Sequence, residues 1–416
     1  MLRIFLLNEK YDIFKIFAIF MILITVIFIF VKKLKKSLLK NFYFKAIVAI
    51  ILIASIPTFV TGTLIYGQDP IEVLRRTQNY YAYFVFVILF CWIGNNALVV
   101  KNLNLAIVSL SVTLCCLFIF CAINPNIGRV ILINEAYLPD RFGLQRLTTL
   151  SATTPFILYS TIYLFFYLTH GRGKKIVLAF VSFLIMVFFL IFVSLSRSTI
   201  IAMFILTTIY VLTKMPLRNK LIFLYVTGFI LFISELIFTN SLIDLLFNSY
   251  TTLLEESKNV EGTTGIRLEG IQYLLNEFAS TGGIGFGLVS SERTQSNVLS
   301  EGFKLGYNPA DMGIIGVFLI YGFPAILLTI VICKKIIMDI RNSNRFVRDE
   351  DISIIQKSLA GYLVFCIMTL SQLFFWDQFS LFWGIFFYMV WACSELRKFT
   401  DQGNGQTTTI CNKWTA

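Results

Sequence analysis

Charge is scarce in this chain of 416 residues: Asp, Glu, Lys and Arg together make up 14% of it, against 57% for hydrophobic and 16% for aromatic residues. A water-soluble globule carries about 25% charged and about 45–50% apolar residues, so a soluble enzyme is excluded. Histidine is nearly absent. His170 is the single example, and a histidine-based metal set has nothing to draw on. The eight cysteines form no CxxC pair. Cys91, Cys115, Cys116, Cys121, Cys333, Cys366 and Cys393 lie inside apolar runs or at their edges, as small buried hydrophobes do. No A-x-A cleavage site follows the first apolar run, and its positive cluster comes after it, so a cleaved signal peptide does not fit.

What is present is a succession of apolar runs. They fall at about 13–31, 45–66, 79–95, 104–124, 151–169, 176–194, 198–213, 221–239, 311–333, 358–375 and 379–395. A helix needs about 20 apolar residues to cross a bilayer core of about 30 Å. The expectation is an all-α polytopic membrane protein of about 11 spans. Residues 1–239 hold about eight of them, 240–310 form a long extracytoplasmic loop with amphipathic helices, 311–396 hold about three more, and 397–416 form a cytoplasmic tail. The net charge of +12 then acts as a topology signal, and no nucleic acid is expected. Lys32 to Lys45, Lys101, Arg172 to Lys175, Lys214 to Lys220, Lys334 to Lys357 and Arg397 to Lys413 fall in alternate loops, which sets the N-terminus outside and the C-terminus inside.

The loops of the opposite side favour arginine: Arg75, Arg76, Arg129, Arg141, Arg146, Arg197, Arg267 and Arg293, against only Lys258 and Lys304. Topology needs no more than a point charge. A guanidinium fork also matches pyrophosphate or carboxylate in a bidentate way, so this face is suited to an anionic ligand. The alternative is structural pairing with acids such as Asp69, Glu135 and Glu292. Arg197, in SLSRSTIIAMF at the mouth of a membrane helix, either faces a polar cavity or snorkels to the interface.

The long polar segment adds a helix over 264–278, capped by Thr263 or Thr264. Leu268, Ile271, Leu274, Leu275 and Phe278 lie on one side of it and Glu269, Tyr273, Asn276 and Glu277 on the other. Arg267 falls in its first turn, where the helix dipole disfavours a cation; a bound anion or a salt bridge would compensate. Gly282-Gly283-Ile284-Gly285-Phe286-Gly287 follows no strand and carries no lysine, so a nucleotide loop does not fit. A tight turn passing close to a ligand or a helix does. Asp311, before the next span, is either a helix N-cap, a base or an acceptor for a sugar hydroxyl.

SLSRST opening a membrane helix, then TTGIRLEGIQYL, GGIGFG and YNPADMGIIGVFLIYG, in that order over Ser194 to Gly322, resemble the O-antigen polymerase and ligase superfamily, particularly Wzy-type polysaccharide polymerases. The resemblance implies a membrane glycosyltransferase of the bacterial cytoplasmic membrane with its active site on the extracytoplasmic side. Undecaprenyl-pyrophosphate-linked oligosaccharides are its implied substrates, and a chain-length regulator and a flippase of the same pathway its implied partners. Arg197 and Arg267 then match the arginines that engage the pyrophosphate. O-antigen ligases carry a histidine where this chain has Tyr307 and Asn308, and His170 is expected on the opposite side of the membrane.

The expected reaction joins two lipid-linked repeat units on the outer face. Arg197 and Arg267 stabilise the leaving pyrophosphate, and Asp311, or else Glu269, takes the proton of the attacking hydroxyl. Arg141, Arg146, Arg293, Tyr273, Tyr307 and Asn308 are the expected substrate-binding residues. No metal or other cofactor is expected. A transporter or flippase for the same lipid-linked glycans is the competing reading, and a ligase a weaker one.

Overall fold

Asn41 starts the first long helix by accepting from two amides that have no intrahelical partner, those of Tyr43 (2.8 Å) and Phe44 (3.4 Å). The computed structural model describes residues 37–94, 96–124, 137–141, 144–147, 153–171, 175–194, 197–214, 220, 263–288, 307, 309–343, 349–369 and 374–402. Helix α1 is Phe42–Val60 and runs into a π-helical turn, Thr61–Ile65. Pro57 lies inside it and has no amide for the carbonyl one turn back, which loosens the ladder just before the π turn. Then follow α2 (Pro70–Thr77), a 3-10 stretch (Gln78–Phe84), α3 (Val85–Trp92) and α4 (Ala97–Ile123). A two-stranded antiparallel ribbon, β1 (Tyr137–Arg141) with β2 (Leu144–Leu147), leads to α5 (Thr154–His170). Beyond it come α6 (Lys175–Phe188) with a π segment, Phe189–Ser194, and α7 (Arg197–Lys214). The remaining helices are α8 (Thr263–Ser280), α9 (Ile314–Tyr321), α10 (Phe323–Ser343), α11 (Glu350–Thr369) and α12 (Ser380–Gln402).

Among the described residues, four helical stretches are long and apolar enough to cross a membrane: Phe42–Ile65, Ala97–Ile123, Lys175–Ser194 and Glu350–Thr369. Thr199–Thr213 and Ser380–Leu396 are shorter apolar helices. The molecule is therefore a helical membrane protein, but the expected eleven spans do not emerge as eleven uniform rods. The runs at 13–31 and 221–239 lie outside the described residues. The run at 79–95 is a 3-10 stretch plus the eight-residue α3, and the run at 311–333 is broken at Gly322. The all-α expectation also needs the β1–β2 ribbon added.

At the centre sits α5, buried on nearly every side from Pro155 to Phe166, as befits a helix that is apolar all round. It packs between α4, α6 and α11. Polar side chains join it to α4: the Tyr159 hydroxyl donates to Asn104 (2.7 Å) and Ser160 meets Ser111 (2.9 Å). Such bonds between helices are retained because lipid offers no alternative partner. Around α12, Phe382, Trp383, Phe386 and Phe387 pack edge and face against Tyr362 and Phe374.

Polar contacts define the two ends of the bundle. At one end Tyr43 donates to Asp339 (2.7 Å), Lys101 pairs with Asp349 (2.7 Å) and Asp351 (3.0 Å), and His170 meets Tyr210 (2.8 Å). This end gathers the starts of α1, α4 and α11 and the finishes of α5, α7 and α10, where Lys45, Lys101, Lys335 and Lys357 stand.

The opposite end is organised by glycine. Gly322 (φ 74°) stops α9 and leaves carbonyls of its last turn without helical donors. The loop after α8 fills that vacancy: Phe286 donates to Leu319 (3.1 Å) and Gly287 to Ile320 (2.8 Å). On its other side Thr61 donates to the Phe286 carbonyl (2.8 Å) and Leu288 donates to Thr58 (3.0 Å). A Cβ at Gly287 would meet the Thr58 backbone at 2.4 Å, and one at Gly322 would meet the Ile284 carbonyl oxygen at 2.5 Å. Irregular backbone inside a membrane bundle survives where protein satisfies it, as here.

Gly287→Ala and Gly322→Ala should each lower stability by about 2–3 kcal/mol, through strain and lost approach. Gly282→Ala should cost only about 1 kcal/mol, since its added Cβ meets nothing within 4 Å. Thermal unfolding of the detergent-solubilised protein checks the order, and equal losses at all three positions would contradict it.

Candidate functional site

Helix α8 carries the polar face expected of it. Glu269, Tyr273 and Glu277 recur every fourth residue and so share one side. The opposite side is anchored by Leu274 and Phe278, both buried, with Phe278 against Phe318 (4.5 Å between centroids) and Phe323 (6.5 Å) of the broken helix. Gly270 lets the helix approach the segment that precedes α9. A Cβ there would lie 2.8 Å from Met312 and 3.0 Å from the Tyr307 ring.

Three expected site residues are in direct contact. The Tyr307 hydroxyl donates to Glu269 Oε2 (3.3 Å), and the Tyr307 ring lies 5.4 Å from that of Tyr273. Local desolvation first, and the Glu269 carboxylate second, push the Tyr307 phenol above its ordinary range, so it remains a neutral donor at neutral pH. Glu269 itself is exposed and able to meet a ligand. Arg267 stands in the same helix, two residues before Glu269. Asp311 stands in the 3-10 turn Pro309–Met312, which packs on α8.

A second group forms across the same end of the bundle. Arg141 and Arg146 stand in the ribbon, with Arg146 opposite Leu138. Strand β2 packs against the π segment Phe189–Ser194 and against α4. Arg197 begins α7 immediately beyond that segment. Since Tyr210 of α7 sits at the lysine-rich end beside His170, Arg197 lies about 20 Å away along the helix axis, at 1.5 Å per residue. Arg293 and Asn308 lie outside the described residues.

A further pair was not anticipated. Tyr66, just beyond the π turn of α1, donates to Glu277 Oε1 (3.0 Å), so α8 is held at two carboxylates, Glu269 and Glu277, by tyrosine hydroxyls. Glu277 lies on the polar face that the sequence marks out. Nothing local points to Tyr66.

His170 belongs to the other end and takes no part in this site. It closes α5, meets Tyr210 through Nε2 (2.8 Å) and Thr169 through Nδ1 (2.7 Å), and has Lys357 and Glu350 nearby. Desolvation, then the Lys357 charge, hold it below its ordinary value of 6.5. Between that lowered value and 6.5 the unfolded chain binds more protons than the folded one, so stability is complete above about pH 6.5 and declines on acidification. Melting temperatures from pH 7.5 to 5 should therefore fall more in the wild type than in His170→Gln; parallel curves would show that His170 carries no such linkage.

No protein-family model matches the chain, and no curated protein matches it.

Proposed function

We propose that the protein is a polysaccharide polymerase that joins undecaprenyl-pyrophosphate-linked oligosaccharide repeat units at the end of the bundle carrying α8, facing the extracytoplasmic side of a bacterial cytoplasmic membrane. The observation that carries this reading is the face of α8. Its exposed carboxylate, Glu269, accepts from the neutral Tyr307 phenol, whose ring meets that of Tyr273, and Arg267 stands two residues earlier in the same helix. Carboxylates and tyrosine faces are what a sugar requires; arginine is what a pyrophosphate requires.

In the reaction, a hydroxyl oxygen of one repeat unit attacks the anomeric carbon of the glycan on another lipid. The bond from that carbon to the pyrophosphate oxygen breaks, and undecaprenyl pyrophosphate leaves with the electron pair. The hydroxyl proton passes to a carboxylate. Glu269 is suited to this because it is exposed and its Oε2 is already fixed by Tyr307; Asp311, on the adjoining turn, is the second candidate. Arg267, and Arg197 from the start of α7, balance the charge growing on the leaving group. The donor already stores the energy, so the protein contributes positioning, electrostatics and the carboxylate that takes the proton.

A transporter of the same lipid-linked glycans is favoured by one feature, the interruption of α9 and α10 at Gly322, since transporters build sites at discontinuous helices. Incubating purified protein with lipid-linked repeat units separates the two. A ladder of longer chains is expected; translocation across vesicles with no ladder would favour the transporter. Arg267→Lys and Arg197→Lys keep the charge but lose the fork, and each should reduce chain extension by about 100-fold. Glu269→Gln should abolish it, and full activity in that variant with loss in Asp311→Asn would move the base to Asp311.

A further inference from the structure

The turn between α11 and α12 interrupts the apolar sequence with Trp376-Asp377-Gln378. Its backbone is closely held. The Tyr83 hydroxyl donates to the Phe374 carbonyl and the Tyr80 hydroxyl to that of Phe375. Phe379 donates to the Trp376 carbonyl (3.0 Å), and Ser380 donates to that of Asn79. One polar group in this turn is left over. Trp376 is only 6% exposed, and its indole nitrogen has no partner among the described residues. An indole N–H can only donate, and a buried donor without an acceptor is among the costlier defects a structure can retain.

The turn lies at the end of the bundle that carries α8. Phe375 packs on Tyr321 (5.5 Å between centroids), the last residue of α9. The two carbonyls just before Tyr321 receive the loop that leaves α8.

We propose that Trp376 is a saccharide-positioning residue, its indole N–H donating to a hydroxyl or ring oxygen of the lipid-linked glycan. This rests on the polymerase reading above and adds a sugar subsite to it. The chemistry favours an uncharged oxygen. The indole is neutral and carries no charge to hold an anion, whereas a sugar hydroxyl can accept from its N–H. Gln378, which is exposed, can donate or accept. The pyrophosphate is left to the arginines.

The test uses the full-length protein in detergent with two kinds of probe: undecaprenyl pyrophosphate, and a panel of undecaprenyl-pyrophosphoryl monosaccharides (N-acetylglucosamine, N-acetylgalactosamine, glucose and galactose). The gain in affinity from adding the sugar is the readout. In Trp376→Phe, which keeps an aromatic ring and loses the donor, that gain should shrink by about 5- to 10-fold, the worth of one hydrogen bond. Affinity for undecaprenyl pyrophosphate should not change. Tyr83→Phe, which loosens the turn without touching the indole, should lower the melting temperature and leave the gain intact.

An unchanged gain in Trp376→Phe overturns the assignment. So does an equal loss with both kinds of probe, or an equal loss of gain in Tyr83→Phe, which would make the effect a distortion of the turn. Wild-type protein that binds the pyrophosphate lipid but gains nothing from any sugar overturns this inference alone. Wild-type protein that binds neither kind of probe overturns the polymerase reading together with it.

Discussion

Two backbone hydrogen bonds, from Phe286 and Gly287 to Leu319 and Ile320, decide where the polar helix of this molecule sits. A helix that stops inside a membrane protein leaves carbonyls that lipid cannot satisfy, each costing several kcal/mol if left bare. The loop after α8 supplies the missing donors. Because the same loop is gripped on its other side by Thr58 and Thr61 of α1, α8 is fixed to both the first described helix and the broken one. The Glu269 face inherits its position from that arrangement.

The break and the loop form one device. Without Gly322 the helix would continue and its carbonyls would be occupied; without the glycines of the loop, the backbone could not come within hydrogen-bonding distance. Tyr66 on Glu277 and Tyr307 on Glu269 then fix the rotation of α8 about its axis, so that its carboxylates face away from Leu274 and Phe278.

Long uninterrupted apolar runs were legible in the sequence. The stretches at 45–66, 104–124 and 176–194 correspond closely to Phe42–Ile65, Ala97–Ile123 and Lys175–Ser194, because a run of that length has few other ways to satisfy its backbone in lipid. The interruption at Gly322 was not legible. A glycine within an apolar run reads equally as a helix-packing residue, and only a partner loop distant in sequence makes it a break. The same holds at the site. The spacing of Glu269, Tyr273 and Glu277 marked one face of α8, and Tyr307 was singled out by its place at the close of the polar segment. The bond between Tyr307 and Glu269 depends on a tertiary turn, and Tyr66 is 211 residues from Glu277, beyond any local pattern. The ribbon that carries Arg141 and Arg146, and whose second strand packs on the π segment Phe189–Ser194, has no alternation of polar and apolar residues to announce it.

The burial of α5 has a consequence for biogenesis. This helix has neighbours on nearly every side, and α11, against which it packs most extensively, is separated from it by about 180 residues of chain. At a synthesis rate of about 5–20 residues per second, α5 enters the membrane roughly 10–40 s before α11 exists. Through that interval Tyr159 lacks its ring contact with Tyr362 of α11. The hydroxyl contacts to Asn104 and Ser111 are available from the start, since α4 precedes α5 in the chain. They make α4 the internal chaperone of a helix whose partners α11 and α12 arrive late.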